Sequence, residues 1–366
     1  MSSGSLSLGK ISGIPFLLHW SVALVAILLG SGLAAEYGAA GAGLAIVAFL
    51  GSILAHELAH ALVARRFGIA TTSIQLWALG GVARLEREAT TPRAEGWIAA
   101  AGPLTSLAIG AVSLGAMLGL SAAGVDGVLP GVLGWLGVIN VALAIFNLLP
   151  GAPLDGGRIL KAVRWRIHGD RYRASREAGN AGKAVGFSLA GIGAVMLFQD
   201  RPGLMLIVTG MFIAMNAKAE TMAADVAERL QGVRVGDLTW FGVAHATGET
   251  DADTILYQRS RLGEAGIVAV DRDGGDPRSP ELVGIVSEEQ LLALPPDQRQ
   301  WVTLSSLMLP LQHVTRAHPD EELATVLARL DPRSPVVTVW NEGKLLGVVP
   351  SKRLLARLKA AATPAA

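Results

Sequence analysis

Between Gly41 and Val63 every residue is apolar or small except three, and those three, His56, Glu57 and His60, form the pattern H-E-x-x-H. A stretch of this length crosses a membrane as a helix, because about 20 helical residues rise through about 30 Å of hydrocarbon. Charged side chains at that depth cost roughly 2.5 to 3.5 kcal/mol each on insertion scales, so ionisable groups are kept there for a partner or a function. Two histidines four residues apart share one helix face and can hold one Zn²⁺, and the glutamate beside the first can take a proton from a water. The same segment therefore asks for a membrane helix and for a protease-type metal site.

The rest of the 366 residues supports the membrane reading, with 51% hydrophobic and only 17% charged residues. A net charge of +1 argues against a nucleic-acid partner, whose binder carries a basic surface. The absence of cysteine excludes disulfides and thiolate zinc sites, leaving His, Asp and Glu to hold any metal. Apolar runs at Ile14 to Ala35, Gly41 to Phe67, Ile98 to Leu120, Val128 to Leu149, Val185 to Phe198 and Leu204 to Ala219 predict six spans. Nearly all the membrane-proximal Lys and Arg fall in 64–93 and 158–183, so by the positive-inside rule those loops and both termini are cytoplasmic. The Ala/Gly/Arg-rich composition suggests a bacterial plasma membrane. His19, near the start of the first run, either faces the site or packs at the interface.

Two further stretches bear on the site. Thr71 to Glu88 alternates around Gly80-Gly81, which predicts a β-hairpin near the membrane; its exposed edge could hold an extended substrate by strand addition, or the segment is an interfacial loop. After the fourth run, Asn147-Leu148-Leu149-Pro150-Gly151-Ala152-Pro153-Leu154-Asp155-Gly156 contains too many helix breakers to continue a helix. Irregular backbone at membrane depth belongs in a protein interior or along a cavity. Asp155 on that segment supplies the third ligand that a catalytic zinc with one open position requires, or else it caps the helix that follows. The Asn147 amide is placed to bond a substrate backbone or to cap a helix end.

From about Ala223 the composition is that of a soluble α/β domain with an internal repeat. Val235 to Leu238 is echoed by Leu304 to Met308, and Leu282 to Leu292 by Leu345 to Leu355. The turns of the two copies fall at Asp271 to Pro280 and at Asn341-Glu342-Gly343. The domains expected are 1–222, a membrane-embedded part, with repeats at 223–295 and 296–362. The fold class is a polytopic α-helical membrane protein of about six transmembrane helices, with a C-terminal α/β pair.

H-E-L-A-H at 56 to 60, followed on a separate span by the N-x-x-P-x-x-x-x-D-G spacing of Asn147, Pro150, Asp155 and Gly156, resembles the site-2 protease family of intramembrane metalloproteases, in the branch with a C-terminal pair of CBS domains. The resemblance implies that His56, His60 and Asp155 bind one Zn²⁺, that Glu57 is the catalytic base and that Asn147 places the substrate. It implies a single-span or multi-span membrane protein as substrate, cut in or near a transmembrane segment to release a regulator. CBS pairs of this kind regulate, dimerise or bind an adenine nucleotide. The positions where an Asp holds ribose carry Gln290 and Arg353 here, which counts against an adenine nucleotide and leaves two alternatives, a nucleotide site or a homodimerisation or gating module without ligand. A CBS-regulated ion transporter and an inactive membrane scaffold are the competing readings; the retained Glu57 argues against both.

Overall fold

The structure is a computed structural model that describes residues 5–78, 80–241, 243–257, 266–272, 274, 281–330, 334, 336–350, 353, 354, 356 and 357. The chain divides into two compact units, Met1–Ala224 and Asp225–Ala366.

In the first unit, β1 (Ser5–Ile11) and β2 (Ile14–His19) form a hairpin through Ser12 and Gly13, both at positive φ. β2 runs parallel to β3 (Thr71–Trp77), which pairs antiparallel with β4 (Gly80–Leu85), giving a four-stranded sheet in chain order with β4 at one edge. The expected 71–88 hairpin is present. The first span does not start at Ile14, because Ile14–His19 is a strand and the helix begins at Ser21. Strict Ser-Leu-Ser-Leu alternation at 5 to 8 and the Ser12-Gly13 turn signal the added strands, which the longer apolar run obscures.

Among the described residues, five helices are long and apolar enough to cross a membrane: α1 (Ser21–Arg66), α2 (Pro92–Ala122), α3 (Val128–Asn147), α5 (Arg171–Phe198) and α6 (Leu204–Leu230). Helix α1 is broken at Gly38, whose φ of 72° and ψ of 170° are not helical. Its arms, about 25 Å and 40 Å long at the helical rise, correspond to the first two expected spans. Local chemistry sets the boundaries. Arg65 and Arg66 face the negative end of α1, and Thr91 caps α2 by accepting the Ala94 N–H at 3.2 Å, with Pro92 at the first helical position. The short helix α4 (Asp155–His168) follows the irregular 148–154 segment and stops at Gly169, which is left-handed at φ 73°. The sheet packs its inner face on α1, where Ile14, Phe16 and Ile74 meet Ala61, Leu54 and Leu58. That contact lays the edge strand β4 beside the H-E-x-x-H turns.

The second unit holds two sheets of matching design. In the first, β6 (Ala244–Thr247) is parallel to β7 (Ile267–Asp271), β7 antiparallel to β8 (Leu282–Ser287), and β8 antiparallel to β9 (Leu309–Pro310). In the second, β10 (Thr315–Ala317), β11 (Val336–Asn341), β12 (Lys344–Pro350) and β5 (Trp240–Phe241) repeat that order and polarity. Short helices cross over in each copy, α7 (Ala252–Tyr257) before β7 and α8 (Leu323–Ala328) before β11. The unit is thus a pair of CBS-like repeats, each closing its sheet with a two-residue strand outside its own β-α-β-β run. The Asn341-Glu342-Gly343 turn is as expected, with Glu342 and Gly343 at positive φ. The other turn, at Asp271 to Pro280, lies largely outside the described residues.

Candidate metal centre

His56 and His60 lie one turn apart in α1, and their rings meet edge to face with centroids 4.8 Å apart. Their Nε2 atoms are 3.1 Å from each other, and each is 3.3 Å from Oδ2 of Asp155 in the first turn of α4. These three residues form a group whose ligand atoms can hold one metal ion. The triangle also fits zinc, since tetrahedral N and O ligands at about 2.0 to 2.1 Å from zinc stand about 3.3 Å apart. Leu154, not Asp155, occupies the cap position of α4, and no side-chain capping bond forms there. The capping alternative for Asp155 therefore loses its support.

The far side of each imidazole is also held. His56 Nδ1 bonds the Ser106 hydroxyl at 2.9 Å, and His60 Nδ1 bonds the Ile98 carbonyl at 2.6 Å. For His60 that partner can only accept, so Nδ1 carries the proton and Nε2 is left free to present a lone pair to a metal. Gly102, on the same helix as both partners, leaves the space the rings occupy. A Cβ there would lie 2.2 Å from His60 Nε2 and 2.4 Å from His56 Nε2.

Glu57 is buried at 9% exposure and turns toward β4. A Cβ on Gly81 would sit 2.2 Å from its Cγ and 2.8 Å from Oε1, so the second glycine of the hairpin pair makes room for this carboxylate. All four residues border a cavity of about 730 Å³, which Asn147 also lines from the end of α3 and β4 from its edge. His19 is not on that cavity. Its Nδ1 meets the Ser21 hydroxyl at 2.8 Å and its ring tilts on Trp20, both neighbours in the chain rather than on another helix.

The 148–154 segment is anchored on α5, with Ala152 N–H donating to Ala178 O at 3.1 Å. Gly182 allows this approach, since a Cβ on it would lie 2.0 Å from Ala152 O. Sequence alone assigns no site role to Ile98, Ser106, Glu95 or Arg158, and reads Gly81 only as half of a turn signal. Gly102 clears the imidazoles from the same α2 stripe as Ile98 and Ser106. The signal of these α2 residues is a spacing within one apolar helix, which has meaning only beside a metal site.

A multi-pass helical membrane protein with a buried His-His-Asp donor set and a glutamate beside it is, as a class, a membrane-embedded metallohydrolase. The chain matches Peptidase family M50 over residues 44–129 and 121–193. It is 37% identical over 347 residues to Rip3 of Mycobacterium tuberculosis, named a zinc metalloprotease, with 90% of this chain and 86% of that one covered. Among solved structures, a site-2 protease from Methanocaldococcus jannaschii is similar at 29% identity and a TM-score of 0.44, covering 59% of this chain and 95% of that one. The CBS domain of a bacterial CNNM/CorC family Mg²⁺ transporter is similar at 19% identity and a TM-score of 0.30, covering 44% and 95%. The identity to Rip3 along nine-tenths of the chain decides the matter: this chain belongs to Peptidase family M50, the intramembrane zinc metalloproteases of the site-2 type. It is a multi-pass membrane enzyme that acts on membrane proteins.

Proposed function

We propose that His56, His60 and Asp155 hold one Zn²⁺, that Glu57 is the general base and that Asn147 positions the scissile segment. The observation that carries this reading is the 3.1 to 3.3 Å triangle of donor atoms with Glu57 one residue from the first of them. Zinc held by that triangle would supply Lewis acidity, easing the loss of a proton from a water and the polarisation of the scissile carbonyl. Glu57 accepts that proton and passes it to the leaving amine nitrogen. Ser106 and the Ile98 carbonyl keep the imidazoles turned toward Asp155 through the cycle.

A substrate helix must unwind before its carbonyls are accessible. The free edge of β4 along the cavity gives the unwound segment a strand to pair with, and the Asn147 amide offers a further backbone partner. The basic segments 64–93 and 158–183 and both termini face the cytoplasm of a bacterial plasma membrane, with Arg65 and Arg66 marking the end of α1 nearer that face. Residues 1–222 form the protease domain, and 223–295 and 296–362 the CBS repeats, which serve gating and homodimerisation. The residues at the expected ribose positions disfavour an adenine nucleotide. Gln290 closes a capping box with Ser287, and the Arg353 guanidinium lies over the Trp240 ring at 5.0 Å, so both are engaged within the fold.

The test is Glu57→Gln in the full chain, co-expressed with a single-span membrane substrate. Cleavage is expected to stop while metal analysis still finds about one zinc per chain. Undiminished cleavage removes Glu57 as the base, and a metal-free wild-type protein removes the site.

A further inference from the structure

One face of α2 reaches every part of the donor set. Glu95, Ile98, Gly102 and Ser106 follow one another at three- and four-residue steps, the spacing of a single helix stripe. Ser106 holds His56, Ile98 holds His60, and Gly102 clears both rings. Asp155 belongs to another helix, α4, which begins immediately after the irregular 148–154 segment and gains no rigidity from a preceding helical turn. Its link to the stripe is Arg158, one turn further along α4, whose Nε donates to Glu95 Oε1 at 2.9 Å. The two helices are also close packed, with Gly96 facing Ala162.

Glu95 is 6% exposed. Burying a carboxylate is costly unless a hydrogen-bonded partner compensates it, so Glu95 and Arg158 are kept as a unit. General packing would be met as well by an apolar pair of similar size. What an apolar pair lacks is direction. The planar guanidinium fixes the rotation of α4 about its axis, and with it the aim of the carboxylate three residues earlier.

We infer that Glu95 and Arg158 are positioning residues that hold the Asp155 carboxylate in register with the two imidazoles, so that α2 aligns all three donors from one stripe. This rests on the proposed assignment of His56, His60 and Asp155 as zinc ligands. Neither Glu95 nor Arg158 touches the metal; they act on it through Asp155.

The experiment measures zinc affinity of the purified full chain in detergent by chelator competition, and the visible absorption of the Co²⁺-substituted protein, whose bands report ligand geometry. Glu95→Gln, which keeps the volume, and Arg158→Ala are each expected to weaken zinc binding about 10- to 100-fold, the usual cost of removing an outer partner of a ligand, and to shift the Co²⁺ bands. Arg158→Lys is expected to recover only part of the loss. The charge exchange Glu95→Arg with Arg158→Glu is expected to recover most of it. Thermal unfolding of the metal-free proteins separates a merely structural pair, which would lower the unfolding temperature while leaving the folded protein's zinc affinity and Co²⁺ bands at wild-type values. That outcome overturns the inference and leaves the ligand assignment standing. A wild-type protein that binds no zinc overturns the assignment itself. Should Arg158→Ala fail to fold, Glu95→Gln with unchanged affinity, or a charge exchange that restores folding but not affinity, still overturns it.

Discussion

At the metal centre His56 and His60 face Asp155 at 3.3 Å, with the histidine side chains 6% and 8% exposed; in the first C-terminal repeat His245 faces Asp271 at 2.9 Å, with the histidine 43% exposed. The shorter contact is the less constrained one. Water solvates the open side of His245, and an exposed ion pair contributes about 0 to 1 kcal/mol. In the membrane unit both imidazoles are buried and each ring nitrogen meets a protein partner: Asp155 on one side, Ser106 or Ile98 on the other. The difference teaches that a site is recognised less by a histidine–carboxylate distance than by how completely the surroundings determine both groups.

That contrast can be broken most severely at Gly102. Gly102→Ala puts a methyl group where both Nε2 atoms lie. Zinc content is expected to fall to near zero and cleavage below detection, with helical circular dichroism retained; zinc-loaded, active protein would show that the rings have room to retreat. Ser106→Ala frees one ring nitrogen without crowding it, so zinc affinity is expected to weaken about 10-fold, read by the same chelator competition. A smaller effect is expected in the repeats at Asp251, which precedes α7 and accepts the Thr254 N–H at 2.8 Å and its hydroxyl at 2.7 Å. Asp251→Ala is expected to cost about 1 kcal/mol of that unit's stability, as loss of a helix cap does, measured by denaturant unfolding of the full chain.

These bonds favour the charged form and hold the Asp251 carboxyl below the usual aspartate range. The stabilisation is therefore complete above the unfolded value and disappears as pH falls below about 4. Asp251→Asn keeps a cap that does not titrate, and is expected to flatten the unfolding curve in that window; an unchanged pH dependence would assign the acid sensitivity elsewhere. Smallest of all, His245→Ala is expected to leave cleavage and zinc content unchanged and to shift stability by less than about 1 kcal/mol. A large loss there would erase the distinction between the two clusters.

Local chemistry carried much of this protein into view before any coordinates. His56, Glu57 and His60 are legible because helical periodicity alone puts the two rings on one face. Asp155 is legible because an acid after a proline- and glycine-broken segment needs a reason to be there. The spans from Gly41 onward follow from hydropathy and length, and the repeats from self-similarity. The hairpin Ser5–His19 was hidden because an apolar strand and the start of an apolar span read alike over a few residues. In the repeats, each sheet's closing strand, β5 or β9, is two residues long, too short to show a period.

The sequence by itself determined the residue types of the candidate site and the membrane setting, since these depend on residue chemistry and on spacing along one element. Only the tertiary structure decided what surrounds them. Glu95, Ile98, Gly102 and Ser106 form an unremarked stripe on α2 until His56, His60 and Arg158 are brought against it. Gly81 is one half of a turn signal until Glu57 fills the space beside it. The physical reason is that a ligand's aim is fixed by groups on other helices, dozens of residues away, and no local pattern in the chain encodes that alignment.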